Sequence, residues 1–298
     1  MTTSKKNKAY PLLDSEFAVF ILTHGRPGNV ITYDTLRKSG YTGPIFLIVD
    51  DLDKTRKEYE KRFPKEVVVF DKKASARTFD GGDNFPDMRA IIYARNASFE
   101  IAKKLGVKYF IQLDDDYKWF QYRFDGEKKY HPKDVKSLDR VFAALLRFYK
   151  STPVSSIALC QGGDFIGGTG SAMAEKVFLK RKCMNSFLCS TERPFKFIGR
   201  INEDVNTYTR LASTGALFFT TNQVSLEQPQ TQTNPGGMTD LYLDSGTYVK
   251  SFYSVMFHPS SVKIRTMNTK NARLHHSVAW VNTTPMILRE TLRKKSTL

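Results

Sequence analysis

Residues 17–27 read Phe-Ala-Val-Phe-Ile-Leu-Thr-His-Gly-Arg-Pro, an unbroken apolar run that ends in a polar turn. Six consecutive apolar residues are typical of a strand that is buried on both faces of a sheet. A helical pattern follows from Val30 to Lys38, and a second apolar run from Ile45 to Val49 stops at Asp50-Asp51. A strand, a helix and a second strand joined by short loops predict the beginning of an α/β domain.

The same alternation continues along the chain. Helices are predicted at residues 54–62, 88–105, 135–149 and 203–213. Strands are predicted at residues 67–70, 107–113, 248–257 and 262–267. We therefore predict the α/β class, with a mainly parallel central sheet flanked by helices.

The domain organisation is expected to be simple, because no internal repeat or low-complexity linker interrupts the chain. Residues 1–14 are predicted to be a polar tail. Residues 15–298 are predicted to form one domain with two functional halves, at 15–125 and 126–298.

The net charge is the feature of the composition that says most about binding partners. The chain of 298 residues has 46 Lys and Arg against 30 Asp and Glu, a formal net charge of +16 at pH 7. With 41% hydrophobic residues it is too apolar for a disordered chain. A surplus of positive charge attracts polyanions, so nucleic acid and nucleotide phosphates are expected partners.

Cysteine content and hydropathy indicate the compartment. Three cysteines cannot all pair and none lies in a Cys-x-x-Cys motif, which disfavours a disulfide scaffold and a cysteine zinc site. The apolar run at 17–22 is far shorter than the roughly 20 residues that cross a bilayer. Residues 1–10 lack the apolar core of a secretory signal. We expect a cytoplasmic protein that has no membrane partner.

Asp114, Asp115 and Asp116 directly follow a predicted strand. Residues two apart on an extended chain point the same way, so the carboxylates of Asp114 and Asp116 are expected to share one hard cation. A divalent cation there would neutralise a diphosphate leaving group. An acidic turn that simply ends a strand has the same pattern.

In open α/β sheets, ligands bind beyond the carboxyl ends of the strands. Polar residues at these ends and on the helix before the acidic triplet are therefore assigned to nucleotide binding: Thr23, His24, Arg26, Asp50, Asp51, Arg95, Asn96 and Asp115. Ordinary turn formers and a surface arginine would look much the same.

Three further motifs are candidates for chemistry. Asn202-Glu203-Asp204 opens a predicted helix, which fits both an Asn N-cap with an acidic first turn and a catalytic carboxylate. Trp119, Tyr122 and Arg123 interleave aromatic rings with cations, as in segments that stack on bases, although core and surface residues alternate likewise. His275-His276 would supply a metal ligand or have a structural role.

The order and spacing of these motifs resemble the TET-associated glycosyltransferases, a family of phage enzymes and relatives of the glucosyltransferase that makes base J. The resemblance runs from about residue 16 to residue 295. It rests on Thr-His-Gly-Arg-Pro at 23–27, Asp50-Asp51, Arg95-Asn96, Leu-Asp-Asp-Asp-Tyr at 113–117, Asn-Glu-Asp-Val at 202–205, Gly-Gly-Met at 236–238 and Arg-Leu-His-His at 273–276.

The resemblance implies a GT-A fold, a UDP-sugar donor, Mn²⁺ or Mg²⁺, and transfer of the sugar onto a hydroxymethylated pyrimidine in DNA. Residues 15–125 would bind the donor, and 126–298 the acceptor. Asp114 and Asp116 would bind the metal with a C-terminal histidine, and Glu203-Asp204 would occupy the catalytic-base position of an inverting transfer.

The acceptor base would leave its stack, with Trp119 or Tyr122 filling the gap or stacking on it. Arg123 and the Gly236-Gly237 loop would also approach the acceptor. A monomer is expected, in the host cytoplasm if the protein is phage-encoded.

Two alternatives stay open from the sequence. One is a GT-A transferase that acts on a glycan or small molecule, and the other is a non-catalytic DNA-binding protein with this fold. The identity of the sugar also stays open, and so does the acceptor, which would be hydroxymethylcytosine, hydroxymethyluracil or a base that already carries a sugar.

Overall fold

The computed structural model describes residues 14–86, 88–165, 167–171, 174, 185–227, 239–267 and 273–283. The strands in these ranges are β1 (Phe17–Leu22), β2 (Ile45–Asp50), β3 (Val67–Phe70), β4 (Tyr109–Asp114), β5 (Trp119–Phe124), β6 (Tyr130–Asp134), β7 (Ser156–Gln161), β8 (Phe187–Ser190), β9 (Phe218–Glu227), β10 (Val262–Met267) and β11 (Arg273–Val278). The α-helices are α1 (Ile31–Lys38), α2 (Arg56–Arg62), α3 (Lys72–Ala76), α4 (Ile92–Lys104), α5 (Leu138–Ser151), α6 (Glu203–Ser213), α7 (Thr239–Phe257) and α8 (Trp280–Thr283).

Within the described residues, β1 to β9 form a nine-stranded central sheet in the order β3-β2-β1-β4-β8-β7-β9-β5-β6. Strands β3, β2, β1 and β4 are parallel, as are β7 and β9. Strand β8 runs antiparallel between β4 and β7, and β5 and β6 add antiparallel pairs beyond β9. The predicted α/β class, with a large central sheet flanked by helices, is confirmed.

This topology brings the carboxyl ends of several strands to the same side of the sheet, the side where the parallel strands finish. That side, rather than an outermost strand, is here called the site edge. The carboxyl ends of β1, β2 and β4 meet there, because parallel neighbours finish on the same side. Since β8 is antiparallel to both β4 and β7, the ends of β7 and β9 lie at the same edge, and β5 begins there.

Strand β1 lies between two hydrophobic layers, and every one of its side chains is buried. Its odd-numbered residues face a layer that includes Leu36 of α1 and Phe142 of α5. Its even-numbered residues face a layer that includes Ile101 of α4 and Tyr208 of α6. Burial of each large apolar side chain contributes about 1.5–3 kcal/mol, so both faces of the strand stabilise the centre of the sheet.

One predicted strand is wrong: residues 248–257 form the second half of α7. Their continuous apolar and aromatic composition imitates a strand. In the structure Tyr248, Phe252 and Met256 form an exposed row at helical spacing, while Ser251 and Ser254 are buried. The inner face combines these two small side chains with the buried ring of Tyr253, and the apolar composition alone does not indicate this helical spacing. Within the described ranges, no helix is both long and apolar enough to cross a membrane.

Candidate active site

The loop after β1 is tied to the acidic triplet after β4. Asp115 is 1% exposed and accepts a 2.6 Å hydrogen bond from Thr23 Oγ1. Arg26 Nη2 lies 3.0 Å from the other oxygen of the same carboxylate. Burial raises the pKa of Asp115 to about 6 against the opposing effects of Arg26 and Thr23. Asp115 therefore organises the loop, and the Arg26 side chain, 31% exposed, is left facing the site edge.

A second link joins the loops after β1 and β2. His24 Nδ1 lies 2.6 Å from Asp50 Oδ2, and Lys72 Nζ donates to the same oxygen at 3.2 Å. Burial alone would raise the pKa of Asp50, but the bonds from His24 and Lys72 hold it below its usual value. The His24 side chain is 47% exposed, so Asp50 orients this imidazole while the ring faces outward. Neighbouring Asp51 accepts the backbone N–H of Lys72 at 2.9 Å.

Two residues that the sequence analysis did not single out also hold the loop after β1. Tyr59 Oη lies 2.8 Å from Thr23 Oγ1 and accepts the backbone N–H of Arg26 at 2.8 Å. Asp53 Oδ2 accepts the N–H of Gly25 at 2.7 Å. Tyr59 is the one aromatic residue in the charged helix Arg-Lys-Glu-Tyr-Glu-Lys-Arg, and its ring faces inward. That interruption of a charged pattern was the sequence signal that could have indicated its role. Asp53 gives no comparable signal, because Asp is common in turns.

The backbone of the acidic triplet is held by the start of α1. Thr32 Oγ1 donates to the carbonyl of Asp114 at 2.7 Å, and Thr32 N donates to the carbonyl of Asp115 at 3.0 Å. Thr32 Oγ1 also accepts the N–H of Tyr117 at 2.9 Å. The backbone of the acidic triplet is thus fixed by the start of α1.

Acidic side chains are crowded around Asp114. Burial raises the pKa of its carboxyl to about 7; Arg95 opposes this, and Asp116 and Glu203 reinforce it. Asp114 and Asp116 are both half-buried, whereas Asp115 faces inward, as the two-residue alternation predicts. Repelling carboxylates at a strand end suit a divalent cation.

The metal-ligating side chains that the structure brings together fit such a cation only in part. Among the described residues, no three His, Cys, Asp or Glu side chains are grouped so as to hold a metal ion. Mg²⁺ is commonly bound by one or two carboxylates together with substrate phosphates and water. Asp114 and Asp116 fit that arrangement, in which a bound diphosphate supplies further oxygen ligands.

Arg95 links Asp114 of the acidic triplet to the start of α6. Its guanidinium is 1% exposed, with Nη2 3.1 Å from Asp114 Oδ1 and Nε 2.9 Å from Glu203 Oε1. The ring of Phe187 lies 5.0 Å from its Cζ. Asn96, beside it, donates to the carbonyl of Phe197 at 3.0 Å and accepts its N–H at 2.9 Å. The residues predicted to reach a nucleotide therefore both make internal contacts.

Removal of the Arg95 guanidinium should therefore destabilise the fold. Arg95→Met leaves the Asp114 and Glu203 carboxylates uncompensated, and loss of one partner from a buried ion pair costs about 3–5 kcal/mol. Urea unfolding in EDTA would measure that decrease in the free energy of unfolding. Adding Glu203→Gln to Arg95→Met should recover part of the loss. Unchanged stability in Arg95→Met would contradict the linking role.

The start of α6 connects the carboxylates to α7 and β11. Asn202 precedes the helix in the left-handed region, at φ 56°, and its side chain makes no capping bond. Its Nδ2 instead donates to the carbonyl of Lys250 at 2.6 Å and lies 3.4 Å from His276 Nδ1. The expected side-chain N-cap is therefore absent at Asn202. The half-buried Asp204 sits in the first turn, where its Oδ1 accepts the N–H of Val205 at 2.8 Å.

The two C-terminal histidines differ in position. His276 is buried beside Asn202, and His275 is half-buried, with its ring 4.3 Å from that of His276. His276 is thus the one that lies next to the start of α6. The assignment of either histidine to a metal stays a prediction.

The three candidate acceptor residues of β5 lie in three different environments. Trp119 is 38% exposed and donates from Nε1 to Glu227 Oε2 at 3.0 Å. Tyr122 packs half-buried against the core. Arg123 is buried and donates from Nε to Ser225 Oγ at 2.6 Å. Of these predicted acceptor contacts, Trp119 is the one most exposed, while Gly236 and Gly237 lie outside the described residues.

Comparison with known proteins gives a family match. The profile of the TET-Associated Glycosyltransferase family matches residues 17–237, which contain the loops after β1 and β2, the acidic triplet and the start of α6. No curated protein sequence matches the chain.

Solved structures give distant matches. The chain is similar to glucosyl-3-phosphoglycerate synthase from Mycobacterium tuberculosis in complex with Mn²⁺, UDP and phosphoglyceric acid, with 10% identity, a TM-score of 0.43, and coverage of 88% of this chain and 86% of that one. It is similar to S. aureus TarS 1–349, with 11% identity, a TM-score of 0.40, and coverage of 72% and 61%. GalNAc-T7 with UDP, GalNAc and Mn²⁺ matches with 13% identity, a TM-score of 0.41, and coverage of 73% and 44%.

Proposed function

This chain belongs to the TET-associated glycosyltransferase family, and from that premise we propose that it moves a sugar from a UDP-sugar to the hydroxyl of a hydroxymethylated pyrimidine in DNA. The observation that carries the proposal is the convergence of separate motifs at the site edge. Arg95 bonds both Asp114 of the acidic triplet and Glu203 beside Asp204, so the donor and acceptor halves share one charge network.

The donor would bind across the loops after β1 and β4, in a GT-A arrangement. Arg26 and His24 are the exposed, internally anchored groups there, suited to phosphate and to polar atoms of a nucleoside. Asp114 and Asp116 would hold Mn²⁺ or Mg²⁺, which supplies charge neutralisation for the diphosphate leaving group. Neither His275 nor His276 is grouped with these two carboxylates in the described residues, so we propose that diphosphate oxygens and water complete the ligand set.

Asp204 would accept the proton of the acceptor hydroxyl as the sugar is transferred with inversion. The carboxylate lies in the first turn of α6, where the helix N-terminus carries positive partial charge. Glu203 is held by Arg95, so its role is to position this turn.

DNA as the acceptor is supported by the charge of the chain. A net charge of +16 suits a polyanion better than a neutral glycan. A base within a duplex must leave its stack to reach a carboxylate at the sheet edge. Such an acceptor implies a cytoplasmic enzyme, in the host cytoplasm if the chain is phage-encoded.

Mass spectrometry of nucleosides tests the proposal. DNA that contains hydroxymethylcytosine or hydroxymethyluracil is incubated with the protein, Mn²⁺ and a panel of UDP-sugars, then digested. We expect one hydroxymethyl nucleoside to gain the mass of one sugar, and unmodified DNA to gain none. Transfer to free glycans or hydroxymethyl nucleosides but not to DNA would contradict the proposed acceptor.

A further inference from the structure

A cavity of about 420 Å³ opens at the start of β5. Here called the Trp119 pocket, it is lined among others by Lys38, Lys118, Trp119, Gln121, Asp134 and Lys136. Trp119 follows Asp116 by three residues, a span of at most about 11 Å of chain. The pocket is therefore a neighbour of the metal motif, although none of the roles assigned above uses it as a cavity.

The indole of Trp119 is held in place by Glu227. The two residues are cross-strand partners in the β5–β9 pairing, and Trp119 Nε1 donates to Glu227 Oε2 at 3.0 Å. The backbone N–H of Lys118 donates to the carbonyl of Glu227 at 2.8 Å. Gly162 leaves room for this carboxylate, since a Cβ there would lie 2.5 Å from Oε2. An exposed aromatic ring is thereby kept in one orientation.

Positively charged side chains line the same pocket. Lys38, Lys118 and Lys136 are all exposed, and across the described ranges none of them forms an ion pair. The acidic side chain of the lining, Asp134, accepts a hydrogen bond from Gln121 Nε2 at 3.1 Å. Three ammonium groups against the carboxylate of Asp134 in the lining and that of Glu227 at the indole leave a net positive charge.

The backbone segments that carry Lys38 and Lys136 are held together. Leu138 N donates to the carbonyl of Ser39 at 2.9 Å, which joins the segment of Lys136 to the end of α1, where Lys38 lies. A Cβ at Gly40 would lie 2.4 Å from the carbonyl oxygen of Lys136, so these two segments are in direct backbone contact. Lys38 and Lys136 are therefore held as neighbours.

We propose that the Trp119 pocket binds one nucleotide of the DNA strand beside the acceptor base. This inference rests on the proposed function for the identity of the strand. The base would stack on the indole held by Glu227, and the flanking phosphates would lie against Lys38, Lys118 and Lys136. A positively charged groove combined with a stacking ring is the usual means of binding single strands without sequence preference.

Binding of a labelled single-stranded oligonucleotide, measured by fluorescence anisotropy, tests the pocket. Trp119→Ala is expected to weaken binding by about 5- to 150-fold, which is a stacking energy of about 1–3 kcal/mol at 1.4 kcal/mol per tenfold. Lys38→Gln/Lys136→Gln should lower the slope of log K against log salt by about 1.4, or about 0.7 for each lost phosphate contact.

A matched control removes two charges elsewhere. Lys65 and Lys104 are exposed residues shortly before β3 and β4, at the sheet edge opposite the site edge. Lys65→Gln/Lys104→Gln changes the net charge equally, and its salt slope should equal that of the wild type. An equal decrease in both double variants would overturn the pocket, because charge alone would then explain binding.

Trp119 fluorescence tests the role of Glu227. The chain has two tryptophans, so Trp280→Phe leaves Trp119 as the single indole fluorophore. Glu227→Ala in this background should increase quenching of Trp119 by iodide and weaken oligonucleotide binding, whereas Glu227→Gln keeps an acceptor for Nε1 and should restore both. Quenching that is unchanged in Glu227→Ala would overturn the positioning role.

The outcomes also separate this inference from the proposed function. Oligonucleotide binding that depends on Trp119, in a protein that transfers no sugar to DNA, would support the pocket and reject the proposed acceptor. Transfer to DNA with wild-type oligonucleotide affinity in the Trp119 and lysine variants would reject the pocket and keep the acceptor. Quenching of Trp119 by UDP but not by an oligonucleotide would reject the pocket as a DNA site.

Discussion

Asp116→Ala is expected to reduce sugar transfer by about 10²–10³-fold, the usual cost of losing one preorganised group that stabilises developing charge. The carboxylates of Asp116 and Asp114 repel each other at the end of β4, and this repulsion contributes to the pKa of about 7 at Asp114. A divalent cation relieves that repulsion, and removal of one carboxylate removes half of the pair that would hold the cation.

Initial rates at saturating UDP-sugar, measured across a Mn²⁺ titration, would show this loss. Excess EDTA should bring the wild type to the level of the variant, and added Mn²⁺ should restore the wild type but not Asp116→Ala. Asp125→Ala is a matched control, because Asp125 is an exposed carboxylate in the turn at the far end of β5. Full transfer by Asp116→Ala, or by the wild type in EDTA, would show that Asp116 holds no essential metal.

The parts of the fold that local pattern encodes were predictable from sequence. The six apolar residues of β1 are buried on both faces because a central parallel strand contacts a layer on each side. Asp114 and Asp116 were separable from Asp115 because strand residues alternate in direction, and the structure places Asp115 against Thr23. Such signals need only neighbouring residues.

Contacts between distant segments were not predictable in this way. Arg95 and Glu203 are separated by 108 positions, and nothing near either residue indicates the other. Arg95 was therefore assigned to a nucleotide, although its guanidinium is buried between two carboxylates. The partners of Asp50 were hidden for the same reason, since His24 lies in the loop after β1 and Lys72 is the first residue of α3. The predicted role of Asp50 at the nucleotide stays a prediction.

The assignment of 248–257 to a strand was wrong for a different reason. Composition favours a strand there, but packing selects a helix whose buried face carries Ser251, Tyr253 and Ser254. Ser251 Oγ donates to the carbonyl of Leu274 in β11 at 3.2 Å, and Asn202 Nδ2 lies 3.2 Å from Ser254 Oγ. The identity of these neighbours decides the conformation, and a sequence window does not contain them.

Asp204→Asn is expected to reduce turnover by about 10²–10⁴-fold while UDP-sugar and metal bind nearly as in the wild type. The amide has almost the shape of the carboxylate and can still accept the N–H of Val205, so the first turn of α6 should persist. What the amide lacks is the capacity to take the proton of the acceptor hydroxyl. Single-turnover rates at saturating donor and DNA, with calorimetric binding of UDP, would measure the two effects separately.

The control for this substitution is Asp139→Asn, since Asp139 occupies the first turn of α5 as Asp204 occupies that of α6. Both substitutions remove the favourable interaction of a carboxylate with a helix N-terminus, worth about 0.3–1 kcal/mol. Asp139 also accepts hydrogen bonds from Thr42 N and Thr42 Oγ1, so Asp139→Asn should lose at least as much stability as Asp204→Asn. Only Asp204→Asn should lose turnover. If its UDP affinity instead falls in proportion to its rate, Asp204 binds the donor and another group takes the proton.

An inverting transfer with Asp204 as base also requires a β-linked sugar from an α-linked donor, and an α-linkage in the NMR spectrum of the product nucleoside would contradict it.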